Sequence, residues 1–123
     1  MTMKSTKPYL FRAMYQWIVD SQCTPLVLAR TDILGAVVPE GYAKDGQIML
    51  DIAQDSVKDF LVDDHVLSFK AVFGDDVCQV RFPMVAILAI YAAENGKGLE
   101  FGPEEDENSG DQDQSGSPEL RVL

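Results

Sequence analysis

Apolar and polar positions alternate with a period of two over residues 66–83, and no other stretch of the chain is so regular. Leu67, Phe69, Ala71 and Phe73 fall on one side, and Val66, Ser68, Lys70 and Val72 on the other. Beyond Gly74-Asp75-Asp76, Cys78, Val80 and Phe82 oppose Gln79 and Arg81. Successive side chains of a strand point to opposite faces, so the pattern predicts a hairpin with one apolar face. The small turn residues supply the backbone freedom that the reversal needs. Ala71 is the odd member, a methyl where its face neighbours are aromatic. It fits close packing against a large side chain from elsewhere, or a shallow slot in which another chain can lie. The pattern leaves both open.

Near the N-terminus the period changes to that of a helix. Pro8 opens it, since proline in the first turn loses no needed N–H and presets φ. The helix is predicted to run to about residue 21. Leu10, Ala13, Met14, Trp17 and Ile18 form one apolar stripe at i, i+3, i+4, i+7, i+8. Phe11, Tyr15 and Val19 form a second, leaving Arg12, Gln16 and Asp20 polar. The apolar arc then covers about two-thirds of the circumference. One row is expected to meet the core and the other a partner, most simply a second copy of the chain. Phe11, Tyr15 and Val19 are assigned to that homodimer interface.

Gln22-Cys23-Thr24-Pro25 ends the helix, and residues 26–30 read as a strand. Residues 31–41 are irregular, punctuated by Gly35, Pro39 and Gly41. After the Asp45-Gly46 turn, Ile48, Leu50 and Ile52 alternate with polar positions as another strand. Residues 53–64 read as a loop in which Phe60-Leu61-Val62 makes a short strand or turn anchor. A helical turn over 83–85, a buried strand, the turn Glu94-Asn95-Gly96-Lys97-Gly98 and a return strand at 99–101 close the body. The class is therefore mainly β with one N-terminal α-helix. Short strands at this spacing suggest a small antiparallel barrel or strongly bent sheet.

Charge divides the chain in two. The net charge is −10 over 123 residues, and residues 103–123 carry seven acidic residues against Arg121 alone, which leaves −4 on residues 1–102. An acidic chain repels a phosphate backbone, so nucleic acid is not the expected ligand. Residues 104–117 contain only Glu, Asp, Asn, Ser, Gly and Gln. Such a stretch buries too little apolar surface to offset its ordering entropy and is expected to be a disordered acidic tail. Hydrophobicity returns in Pro118-Glu119-Leu120-Arg121-Val122-Leu123, which reads equally as a docking motif or a frayed end. One domain over 1–102 (helix 8–21, strands 25–102), a linker over 103–117 and a terminal motif over 118–123 are expected. Met1 to Lys7 is short and polar and predicts no signal peptide; residues 84–93 are too short an apolar run to span a bilayer. A soluble, cytoplasmic protein is expected.

Residues suited to catalysis are sparse. His65 stands alone beside Asp63 and Asp64, without a local nucleophile. Cys23 and Cys78 lie far apart and read as small hydrophobes in a reducing compartment. Asp63, Asp64, His65, Asp75 and Asp76 make a loose acidic set of the kind that water normally solvates, and no phosphate-binding glycine loop occurs. No cofactor, no metal and no enzymatic activity are expected.

Several ordered motifs resemble one family. They are Pro8-Tyr9-Leu10, Arg12-Ala13, Tyr15 and Trp17, then Thr24-Pro25, then Val38-Pro39 and Tyr42-Ala43-Lys44-Asp45-Gly46-Gln47-Ile48. Phe69, Ala71 and Phe73 follow, then Leu88-Ala89-Ile90-Tyr91-Ala92, Glu94-Asn95-Gly96, Gly98, Phe101, Pro103-Glu104, and at the tip Pro118 and Leu120-Arg121-Val122. In this order they are similar to the stringent starvation protein B (SspB) family, adaptors of the ClpX–ClpP protease. The resemblance implies a dimerisation helix before a small Sm-like or SH3-like bent barrel. It implies a cleft for the ssrA peptide, the tag added to proteins from stalled ribosomes, formed around Phe69, Ala71, Phe73, Gly74, Val80 and Phe82. It also implies that Leu120, Arg121 and Val122 dock on the N-terminal zinc-binding domain of ClpX.

Val72 and Ala93 stand where familiar members carry arginine, and Asp51 where asparagine is usual, so weaker attraction of an acidic tag is expected. An Sm-like RNA binder, or a scaffold for other peptides, are the competing readings.

Overall fold

A computed structural model describes residues 3–101 together with the backbone of 121–122. The expected linker over 103–117, and Leu120 of the expected docking motif, lie outside the described residues. The element order is α1 (Lys7–Asp20), β1 (Pro25–Arg30), β2 (Gln47–Asp51), β3 (Val57–Val62), β4 (Val66–Phe73), β5 (Asp76–Pro83), a 3-10 turn (Met84–Ala86), β6 (Ile87–Ala92), β7 (Gly98–Glu100) and β8 (Arg121–Val122). The architecture is mainly β with one N-terminal helix, as the hydrophobic pattern predicts.

Two antiparallel sheets form, one of five strands in the order β2-β1-β6-β7-β8 and one of three in the order β3-β4-β5. Among the described residues no strand ladder joins them, so the barrel is bent but unclosed. A single bridge does part of that work: Val37 and Arg81 exchange both backbone hydrogen bonds, at 2.8 and 2.9 Å, and tie the 31–46 loop to the edge of β5. The core fills the space between the sheets and α1, with Phe11, Ile18, Val27, Ile52, Leu67, Phe69, Val80, Phe82, Ile87 and Ile90 all sealed from water.

Local chemistry explains the boundaries. Pro8 sits in the first turn of α1, one residue later than the sequence suggests. The helix ends where Gln22 turns to φ 64° and the Cys23 N–H donates back to the Ile18 carbonyl at 3.0 Å. The β4–β5 loop is the two residues Gly74 and Asp75, with Gly74 at φ 66°, the positive angle that the first position of a II′ hairpin requires. Gly98 is required sterically: a Cβ there would lie 2.0 Å from the Ile90 carbonyl oxygen.

Two departures from the sequence reading stand out. Residues 57–62 are a full strand rather than a loop. Their alternation is masked by Asp59, whose φ of 54° accompanies a register shift between Lys58 and Leu61. The tip forms β8, pairing Leu99 with Val122 and Glu100 with Arg121.

Candidate functional site: the inner face of the hairpin

The register of β4 with β5 sets the geometry. Leu67 pairs with Phe82, Phe69 with Val80, Ala71 with Cys78, and Phe73 with Asp76. All but Asp76 are apolar or small, and they share the face turned toward the core. The first two rungs are fully buried, with all four side chains at 0% exposure. The next two are half open at Ala71, Cys78 and Phe73. The face therefore passes from a sealed end to an open mouth within two rungs, about 10 Å of strand.

Two other parts of the chain shape the mouth. Val57 of β3 pairs with Ala71 on its free side, so one row runs Val57–Ala71–Cys78 across the sheet. The Tyr42 ring meets Phe73 edge-on at 4.9 Å between centroids, and its hydroxyl lies over Gly74. Within that row Ala71 is the smallest side chain, so the surface dips there, and any longer side chain would fill the dip. Ala71 itself is half-buried and packs at the margin of the core cluster.

The sequence-derived cleft residues thus divide. Ala71, Phe73 and Gly74 line the opening. Phe69, Val80 and Phe82 lie further along the same face, sealed inside the core. Cys78, Val57 and Tyr42 were not singled out. Cys78 is legible from alternation alone, whereas Val57 and Tyr42 reach the site only through long-range pairing.

The helix needs a correction. Phe11, assigned to a partner, is 0% exposed and belongs to the core. Tyr15 stacks on Phe60 of β3 at 4.9 Å, and that burial pushes its phenol above the usual range. Val19 is half-buried. Trp17, assigned to the core stripe, is instead 45% exposed, and Tyr9 and Ala13 join it on the outward face. Lys7 is buried, with Nζ donating to the Ile87 carbonyl at 2.9 Å and lying 5.5 Å from the Phe101 ring centre.

The acidic residues are engaged structurally. Asp63 accepts the N–H groups of His65 and Val66 at 2.8 and 2.9 Å, which hold its carboxyl below the usual range. Asp64 is likewise lowered, chiefly by Lys4 at 3.2 Å, with Arg12 at 3.5 Å. Arg12, Val62, Asp63, Asp64 and His65 line a shallow open depression at the far end of β3 from Val57, the partner of Ala71. Glu94 accepts both the N–H and the hydroxyl of Thr24 at 2.7 Å, and its carboxyl is lowered by that pair. Among the described residues no group of three or more His, Cys, Asp or Glu is placed to hold a metal ion, and no helix is long and apolar enough to cross a membrane.

A helix laid on two antiparallel sheets that do not close into a barrel defines a class of small, mainly β proteins. Comparison with known proteins narrows it. The family model described as stringent starvation protein B matches residues 5–121, and the chain belongs to that family. A relative described as a stringent starvation protein B homolog, from Haemophilus influenzae, is 41% identical over 99 residues. The match covers 80% of this chain and 66% of the relative, so this chain spans just under two-thirds of that protein's length.

Proposed function

We propose that this protein is a non-enzymatic adaptor that binds the ssrA tag of proteins from stalled ribosomes and delivers them to ClpX for degradation by ClpX–ClpP. The observation that carries this reading is the open Ala71–Cys78 rung beside the sealed ones. An extended peptide needs main-chain partners and pockets for alternate side chains; the small Ala71–Cys78 rung gives side chains room, and β5, the edge strand of its sheet, presents main-chain groups. Family membership supports the adaptor assignment.

Delivery works by tethering. Residues 1–102 form the body, 103–117 the linker, and Leu120, Arg121 and Val122 the motif that docks on the N-terminal zinc-binding domain of ClpX, for which Arg121 and Val122 must leave their pairing with β7. As a random coil the linker spans about 20 Å r.m.s., and fully stretched about 50 Å. Holding the tagged protein within that radius raises its local concentration at the unfoldase and lowers the apparent KM. The body acts as a homodimer through the outward face of α1, where Tyr9, Ala13 and Trp17 replace Phe11 as the contact residues. The setting is the cytoplasm.

Fluorescence anisotropy with a labelled ssrA-type peptide tests the site. Wild type binds saturably and Ala71→Gln does not, because the longer side chain fills the dip. Equal binding by both variants moves the site away from Ala71. Absence of binding by wild type refutes the tag reading.

A further inference from the structure

The opposite face of the same three-stranded sheet gathers cations and apolar side chains on an otherwise acidic molecule. Register places Lys58 beside Lys70, and Lys70 beside Gln79. The neighbouring rung holds Leu61, Ser68 and Arg81, and the rung on the other side pairs Val72 with Val77. Lys58, Leu61, Lys70, Val72, Val77 and Arg81 are all exposed, the two valines at 65% each.

The charges are poorly neutralised. Lys58 and Lys70 stand directly opposite each other, an arrangement that destabilises a sheet. Lys70 reaches Asp59 at 3.4 Å, a pair open to solvent. Among the described residues neither Lys58 nor Arg81 has a carboxylate within ion-pair distance, and Asp63 senses Arg81 only from farther away. A chain of net charge −10 does not need cations placed together for solubility. Apolar side chains flanking them on a flat face add surface that water disfavours.

We propose that this outer face docks an extended acidic segment of a partner protein, with carboxylates set over Lys58, Lys70 and Arg81 and apolar side chains over Val72, Val77 and Leu61. The charge pattern selects that occupant. A second copy of this face repels the first, because a two-fold pairing brings like charges together. A nucleic acid meets only three cations here, interrupted by valines and surrounded by net negative charge. The surface is separate from the tag site, which lies on the other side of the same strands, so the two ligands bind together.

Amide chemical shifts of the full chain at low salt test the proposal, with an alternating Glu-Val octapeptide as probe and a Lys-Val octapeptide as control. The Glu-Val peptide shifts residues 58, 61, 70, 72, 77 and 81 saturably. Lys58→Glu with Lys70→Glu weakens this by at least about 10-fold, as does salt at about 0.5 M, where screening is nearly complete. Retained ssrA-type peptide binding shows that the double variant is folded. Absence of saturable shifts, or equal shifts with the Lys-Val peptide, overturns the proposal. So does tighter binding of oligouridylate at these residues. Movement of the same signals in the peptide-free chain on neutralising Glu104, Glu105, Asp106 and Glu107 also overturns it, since the chain's own acidic stretch then covers the face.

Discussion

The two halves of the β4–β5 hairpin are built from the same alternation and end differently. At Leu67–Phe82 and Phe69–Val80 the inner face carries large side chains that are completely buried in the core. At Ala71–Cys78 the side chains shrink and the cover stops. Identical backbone pairing thus supports a sealed core at one end and a half-open face, the proposed peptide site, at the other. Side-chain size and the reach of neighbouring elements set the difference.

That contrast is broken most forcefully at Phe69. Phe69→Ala empties a sealed site and costs about 3–5 kcal/mol, read as a lower denaturant midpoint in urea. Ala71→Gln, two residues along the same face, leaves the midpoint nearly unchanged while abolishing peptide binding. Comparable destabilisation by both would show that the two halves do not differ.

The helix offers a second contrast of the same kind, between a buried and an outward row. Trp17→Glu places a charge on the outward face and is expected to convert the proposed dimer to a monomer in sedimentation, with the fold kept. A dimer that persists moves the interface off this face. Phe11→Glu, by contrast, buries an unpaired charge and unfolds the domain.

A smaller effect concerns Glu94, which ties the end of the α1–β1 connection to the turn after β6. Its carboxyl is lowered in the folded state by hydrogen bonds from Thr24. A lowered carboxylate contributes stability above its unfolded pKa, about 4.3 for glutamate, and loses it as pH falls through the folded value. Wild type should therefore melt above Glu94→Gln at neutral pH, and the two curves should converge as pH falls through the folded value, below the ordinary glutamate range. A constant gap across that range would remove Glu94 ionisation from the account.

The hairpin was legible in the sequence because period-two alternation survives over both strands and one glycine fixes the turn. The bent-sheet class followed from strand spacing. The helix was not oriented by its pattern. With apolar residues around two-thirds of its circumference, periodicity cannot distinguish the row beneath Phe11 and Ile18 from the row beneath Trp17. The partners that decide it, such as Phe60 under Tyr15, are distant in sequence. β3 was hidden because Asp59 shifts the register and places Lys58 and Leu61 on the same outer face. For the site, alternation located Ala71 and also Phe69, Val80 and Phe82, but depth comes from covering elements that no local pattern reports. Tyr42 and Val57 reach the mouth for the same nonlocal reason.

The thiols provide the most direct test of the central claim, that the open half of the hairpin is the peptide site. Cys78 lines the mouth and Cys23 lies at the end of the helix, and both are free and half-buried. Alkylation of each would be followed by mass spectrometry with and without saturating ssrA-type peptide. The account predicts that the peptide slows modification of Cys78 by at least about 10-fold, the protection of a mostly occupied site, and leaves Cys23 unchanged. Equal rates at Cys78 with and without bound peptide would contradict it.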